Sequence, residues 1–319
     1  MIKKYYKYLY ILSGIIIGIF ITINVIGAIV GNTMYLMLNK QQVDHLVPVL
    51  ADYSENVTRI KEYEQEKKWE QVTITTNDGY VMTGTYIKNP MQTDKAVLIM
   101  HGLYQNRSMS IDYVPIYLHL GFNVLLVDLR GHGQSKGQMT WGKKEVGDID
   151  AWITYLKNQK KNKIIGVHGI SLGASYALLY SGASGVTPAD FYVEDSAYDD
   201  LSSIYHEKFR SFLQVQKNDM IINLLWFYCQ VSMYWHTGST MAELSPLNAV
   251  QKAKSPILFL HGGADELVPT TSMQKLYAGC KSYKQSHIFA NAPHALSITK
   301  NNKEYYDVLK EFLHNSNII

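Results

Sequence analysis

The sequence predicts an α/β fold: a mostly parallel central sheet with helices on both faces and a helical cap insertion, preceded by an N-terminal transmembrane helix. Three observations predict it. Short, continuous apolar runs alternate with helical patterns through most of the chain, as in parallel sheets covered on both faces. Residues able to do chemistry collect just after those runs, where open α/β sheets place their sites. The N-terminus carries an uncharged stretch long enough to cross a bilayer.

That stretch runs from Tyr8 to Asn39, 32 residues without a charge. About 20 apolar residues suffice for a helical span. Lys3, Lys4 and Lys7 precede it, with Tyr5, Tyr6, Tyr8 and Tyr10 at the expected interface. The positive-inside rule then puts the short tail in the cytoplasm and everything after residue 40 on the far side of the cell membrane, as a single-pass protein. A secreted chain with a cleaved signal peptide is the alternative; such apolar stretches run to about 7–15 residues, and no small-x-small site precedes a polar start here. Residues 40–70 read as a polar stalk, helical over 53–68, whose charges form a solvated face.

The domain expected over 71–319 starts with strands at 71–76 and 80–88 around the hairpin signal Asn77-Asp78-Gly79. Further strands are expected at 96–100, 122–128, 163–168, 191–194, 256–260 and 286–289. Helices are expected at 114–120, 146–156, 172–180, 272–278 and 303–313. A cap insertion is placed at about 198–254, between the strand at 191–194 and the one at 256–260.

Composition narrows the function. The chain has 319 residues, 47% apolar and 18% charged, enough for one large core or two modest ones. The net charge is +3, but four lysines and no acid lie in the first 40 residues, so the remainder is close to neutral and offers no basic face for nucleic acid. Cys229 and Cys280 are the only cysteines, too few for a disulfide scaffold or a cysteine zinc site. With no Walker A loop, zinc-ligand cluster or dinucleotide fingerprint, neither a metal nor a cofactor is expected.

The pattern G-x-S-x-G presents a serine on a sharp strand-to-helix turn that only glycines allow. It occurs twice, at Gly169-Ile-Ser171-Leu-Gly173 and Gly133-Gln-Ser135-Lys-Gly137. Ser171 follows an apolar strand and opens a helix, whereas Ser135 sits in a glycine-rich loop, so Ser171 is the candidate nucleophile. A serine needs a base, and the base an orienting acid. His294 lies just after the last expected strand and Asp265 just after the strand before it, in the order expected of a parallel-sheet hydrolase. Glu194, Asp195 and Asp199 are the alternative source of the acid. An oxyanion hole needs two backbone N–H groups; Leu172 supplies one, and the turn at His101-Gly102-Leu103-Tyr104 the other.

His101-Gly102, the loop Asp128–Ser135, Gly169–Gly173, the segment Ser255–Asp265 and Pro293-His294 together resemble the α/β-hydrolase superfamily over about residues 70–315. Within it they are similar to the branch that groups monoglyceride-lipase-like with serine aminopeptidase-like hydrolases, some of whose bacterial members are membrane-tethered. The resemblance implies Ser171 as nucleophile, His294 as base and Asp265 as its partner, with Leu103 and Leu172 at the oxyanion positions. Arg130 and His132 match a loop motif that is not catalytic in that branch.

The apolar, aromatic stretch 221–235 is expected as a helical lid whose inner face binds an acyl chain, with Trp226, Trp235 and Tyr104 as candidate substrate contacts; plain packing of the lid is the other reading. The expectation is a serine hydrolase acting on a small-molecule ester or acyl substrate. Amidase, peptidase or acyltransferase chemistry would share the triad, and a non-catalytic surface binding protein is the alternative from another class.

Overall fold

In a computed structural model of the chain, residues 2–39, 53–202, 206, 210 and 220–319 are described. They fall into two units, one from residues 1–40 and 205–241, the other from 41–204 and 242–319.

The apolar runs become the strands of the larger unit: β1 (Glu70–Thr75), β2 (Val81–Ile87), β3 (Lys95–Met100), β4 (Asn123–Val127), β5 (Ile164–Ile170), β6 (Phe191–Asp195), β7 (Ile257–Gly262) and β8 (Lys284–Phe289). Their order is β1-β2-β4-β3-β5-β6-β7-β8. The β1–β2 and β2–β4 pairs are antiparallel and every pair from β4 to β8 is parallel. This is the α/β-hydrolase sheet. Strands β4, β6 and β7 are buried at every residue, as continuous apolar sequence requires, while β1 and the edge strand β8 are partly exposed.

In chain order the helices used below are α1 (Ile2–Asn39), α2 (Tyr53–Glu66), α3 (Val114–His119), α4 (Glu145–Asn158), α5 (Leu172–Ser181), α6 (Met220–Thr237), α7 (Pro246–Val250), α8 (Thr270–Gly279), α9 (Ser297–Lys300) and α10 (Asn302–Asn315). Val97, Ile99, Val124, Leu126, Val193, Leu258 and Leu260 share one core with Tyr117 of α3 and with Tyr305, Leu309 and Phe312 of α10. The alternating residues Leu98, Leu125, Val167 and Phe259, equally buried, turn to the opposite face, because successive strand side chains point to opposite sides.

Two expected boundaries are corrected. The stalk over 40–70 falls partly outside the described residues, at 40–52. Its remainder forms α2, which is a packed element and no free polar stalk: Ile60 is buried in the core with Tyr63 and Trp69 against it. Its sequence is polar because a single apolar position per turn and a half is enough to seat a short helix. The cap is also narrower than 198–254. Residues 242–254 belong to the larger unit, where α7 packs on α5; Gly182 lets the Ala249 carbonyl come within 2.1 Å of where a Cβ would stand. Parts of the expected cap (203–205, 207–209 and 211–219) lie outside the described residues.

The smaller unit holds α1 and α6. Residues Tyr6–Leu36 of α1 are long and apolar enough to cross a membrane. Three polar side chains of this stretch bond back to the helix itself: Thr22 and Thr33 donate to the carbonyls of Gly18 and Ile29, and Asn24 to that of Phe20.

Candidate active site

The turn that carries the candidate nucleophile is built from close backbone approaches. A Cβ on Gly169 would stand 2.1 Å from the Gly173 carbonyl oxygen, and one on Gly173 2.4 Å from that of Met100. Both positions therefore admit only glycine. Between them Ser171 is held at φ 54°, ψ −112°, a strained conformation for a non-glycine residue. Its own N–H donates to the Asp195 carbonyl at 2.8 Å, which fixes the end of β5 to the end of β6.

The loops after β7 and β8 are pressed together in the same way. Gly262 and Gly263 lie where a Cβ would meet the carbonyl oxygens of Ala292 and Ala290, at 2.3 and 2.5 Å. Ala264 N–H donates to the Ala292 carbonyl at 3.0 Å. This contact brings Asp265 to His294 across 29 residues of sequence. His294 Nδ1 lies 2.7 Å from Asp265 Oδ2, and His294 Nε2 lies 2.8 Å from Ser171 Oγ.

Asp265 is surrounded by donors. Its side chain is fully buried; Oδ1 accepts the N–H groups of Leu267 and Val268 at 2.9 and 2.8 Å. Oδ2 also faces His261 Nε2 at 3.3 Å. Burial pushes the carboxyl up, but the hydrogen bonds from His261, His294 and the Val268 N–H outweigh it and hold Asp265 well below the usual carboxylate range. An ionised acid behind the histidine fixes the tautomer with a proton on Nδ1, leaving Nε2 free to accept.

The first-turn N–H groups of a helix have no partner within it, and Leu172 is the first residue of α5. The turn after β3 faces the same point: a Cβ on Gly102 would lie 3.3 Å from Ser171 Cβ. Leu103 follows Gly102 there, and Tyr104 is held at φ 58° in the same turn, half-buried, with burial pushing its hydroxyl up to about 12. The turn is braced from behind. Gly102 N–H donates to Gln105 Oε1, and His101 donates from Nδ1 to the Gly102 carbonyl while its Nε2 accepts Leu129 N–H. Two donors would thus converge beside Ser171, the geometry that stabilises an oxyanion.

The remaining expected residues lie elsewhere. Ser135 is buried, donating to the Asp128 carbonyl at 2.7 Å and accepting Thr83 N–H at 2.9 Å. Asp195 accepts the Tyr305 hydroxyl, and Asp199 is taken by Ser272 and Lys275. Arg130 bridges Asp78 and Asp148, and His132 Nδ1 donates to the Arg130 carbonyl. Trp226 and Trp235 belong to the smaller unit, where Trp226 is buried edge-on to His206 and Trp235 is exposed. No group of three or more metal-ligating side chains is found among the described residues.

Two residues escaped the sequence reading. Arg107, buried, donates to buried Asp128 and to Glu64; it pins the turn after β3 to the end of β4. His261 shares Asp265 Oδ2 with His294. Its position at the last turn of β7, four residues before Asp265, was the available signal.

Residues 95–188 match the family described as alpha/beta hydrolase fold, and residues 212–314 the dienelactone hydrolase family. The Bacillus subtilis (strain 168) protein YqkD is 32% identical over 303 residues, covering 94% of this chain and 96% of its own. The Saccharomyces cerevisiae membrane protein YNL320W is 28% identical over 252 residues, 77% of this chain and 79% of its own. Among solved structures, the esterase Pf2001 of Pyrococcus furiosus superposes with a TM-score of 0.62 at 28% identity, over 78% of this chain and 92% of that one. From its sheet order to the glycines of its serine turn, and along nearly its whole length in a relative, the chain belongs to the α/β-hydrolase family.

Proposed function

We propose that the protein is a membrane-anchored serine hydrolase that cleaves carboxylic esters on the extracytoplasmic side of the cell membrane, without metal or cofactor. The observation that carries this reading is the line Ser171 Oγ, His294, Asp265, with contacts of 2.8 and 2.7 Å around a serine held in a strained turn. His294 Nε2 takes the Ser171 proton as Oγ attacks the ester carbonyl carbon. The negative charge that develops on the carbonyl oxygen is met by the N–H groups of Leu103 and Leu172. The leaving alcohol takes the proton from His294, and an acyl-Ser171 ester remains. Water, deprotonated by His294 Nε2, then attacks that ester and releases the acid. Asp265 stays ionised throughout and stabilises the imidazolium. The ester class is supported by the esterase Pf2001 neighbour, and the membrane placement by Lys3, Lys4 and Lys7 before the apolar helix.

The test is labelling of the full chain in membranes by a fluorophosphonate, comparing wild type with Ser171→Ala and Ser135→Ala. Loss in Ser171→Ala alone is expected. An unlabelled wild type that binds p-nitrophenyl esters without turning them over would overturn the proposal. Protease digestion of intact cells tests the side: the domain is expected to be cut without lysis.

A further inference from the structure

Helix α6 carries no Asp, Glu, Lys or Arg over its 18 residues, yet it leaves one whole side open. Met220, Leu224, Phe227, Val231, Tyr234 and Trp235 recur at helical spacing and all are exposed, Trp235 to 85%. An apolar stripe of this size on a water-facing helix marks a surface that something covers.

The opposite side of α6 is already taken by α1. The Tyr228 ring comes within 2.1 Å of where a Cβ on Gly27 would be, and the Tyr228 carbonyl oxygen within 2.4 Å of one on Gly31. Tyr228 donates its hydroxyl proton to Asn24 Oδ1 at 3.0 Å, His236 Nε2 lies 2.7 Å from Asn32 Oδ1, and the His236 ring stacks on Tyr35 at 4.2 Å. Gly27-Ala-Ile-Val-Gly31 has the small-xxx-small spacing that lets helix backbones approach closely in membranes, where tight packing replaces the hydrophobic drive.

The position of α6 along α1 identifies the occupant. The helix that holds α6 is the candidate span, and its own residues from Tyr6 to Ile29 expose apolar side chains. Tyr8 and Tyr35 are separated by about 40 Å of helix at 1.5 Å per residue, close to a bilayer with both interfaces. Tyr35 stacks on the same turn of α6 that carries Tyr234 and Trp235, so three aromatic residues gather at one level, as in the aromatic belt of a membrane interface. Trp235 and Met220 are 15 residues apart, so the Met220 end lies about 22 Å along the helix from that level, about half of a bilayer counted with its interfaces, a depth that stays within one leaflet.

We propose that α6 is a second lipid-contacting element: packed on the Gly27–Gly31 face of α1, it lays the Met220–Trp235 stripe into the leaflet at the C-terminal end of α1, and a phospholipid bilayer covers it. The proposal rests on α1 spanning the membrane and is independent of the triad.

The experiment places a single environment-sensitive label at Leu224→Cys, Phe227→Cys or Ile16→Cys in the full chain carrying Cys229→Ala and Cys280→Ala, reconstituted in phosphatidylcholine vesicles. A label at Met91→Cys, exposed on the larger unit, is the aqueous reference. Doxyl-phosphatidylcholine is expected to quench the labels at 224, 227 and 16 at least about threefold more strongly than the one at 91, with iodide giving the reverse order. Labels at 224 and 227 quenched by iodide while 16 stays lipid-quenched would overturn the proposal and leave the anchor standing; iodide quenching of all three would overturn both. Excitation transfer between labels on two copies, in place of doxyl quenching, would assign the stripe to a second copy and overturn the lipid occupant. Gly31→Leu is expected to abolish doxyl quenching at 227 and preserve it at 16; unchanged quenching at 227 would overturn the role of the helix pair.

Discussion

Replacing Asp265 by Asn changes one atom in a fully buried ring of donors, and the ring dictates the outcome. Oδ1 accepts two backbone N–H groups, and Oδ2 faces Nδ1 of His294 and Nε2 of His261. The His261 Nε2 proton has the Val268 carbonyl oxygen at 2.9 Å, so the new amide has one acceptor for the three remaining donors. If its NH₂ faced Leu267 and Val268, two backbone donors that cannot change their protons would be left unpaired, at about 1–3 kcal/mol each. The amide therefore turns its oxygen to them and its NH₂ to His294. Nδ1 must then be the unprotonated nitrogen, which moves the proton to Nε2, the atom 2.8 Å from Ser171 Oγ. A base with its lone pair pointing away from the nucleophile is expected to cost about 10⁴ in kcat, or about 5.5 kcal/mol of barrier. Substrate binding does not use this group, so KM should stay within about twofold. The assay is p-nitrophenyl ester hydrolysis by the purified full chain, with stability followed by urea unfolding. A variant that stays folded and keeps kcat within tenfold of wild type would refute the assignment of Asp265 and the tautomer argument together.

Glu194 gives a pH prediction. Burial pushes its carboxyl up to about 8 from an ordinary 4.5, so the folded chain holds a proton there that the unfolded chain releases. The stability this supplies is fully present below about 4.5 and is lost as pH rises towards 8. Melting temperatures of wild type are expected to fall relative to Glu194→Gln between pH 5 and 8, the isosteric amide still accepting Ala197 N–H; a constant gap would mean Glu194 is ionised in the fold. Arg107→Met should destabilise by about 3–5 kcal/mol in urea unfolding, because Asp128 and Glu64 lose their cation while Asp128 stays fully buried. Gly173→Ala should cost at least about 2 kcal/mol and most of the fluorophosphonate labelling, since the Met100 carbonyl occupies the space its Cβ needs. Gly147→Ala, in the first turn of α4 with open space around it, should stabilise by about 0.4–1 kcal/mol and serves as the contrast.

The parts of this fold legible in the sequence are those whose physics is local. Strands β3 to β7 announce themselves because a strand buried on both faces must be continuously apolar, and Ser171 because its turn admits only glycine on either side. The loops of Asp265 and His294 could be placed because the expected sheet puts the ends of consecutive strands on one rim. Long-range pairings left no such mark. Arg107 meets Asp128 and Glu64 from 21 and 43 residues away, and nothing beside it in sequence shows that its charge is buried. Ile60 reads as one apolar residue on a charged helix until the core it enters is known. Gly27 and Gly31 look like ordinary residues of an anchor, and only Tyr228, some 200 residues on, shows why both are glycine, its ring lying on the first and its carbonyl on the second.

The choice among four neighbouring acids follows from how each carboxyl is surrounded. At the end of β6, Asp195 and Glu194 are wholly buried, and burial raises both. Asp195 is occupied by Tyr305, and Asp199 by a lysine and a serine on α8. Asp265 receives three N–H donors, with His261 Nε2 beside Oδ2, and is pushed the other way. His261 lies between the two regimes. Burial lowers its proton affinity, but the hydrogen bond to the Asp265 carboxylate leads the groups that more than restore it. Glu194 Oε1 and His261 Nδ1 each lack a hydrogen-bond partner among the described residues. Burial, with the neighbouring Asp195 charge behind it, keeps a proton on Glu194 against the pull of His261 and of the Ala197 N–H. Carboxyls driven apart in this way divide the work, one staying charged to orient a base and the other staying neutral to preserve the fold. In the proposed mechanism the acid behind His294 has to stay ionised, and among these four the carboxyl whose donors keep it so is Asp265.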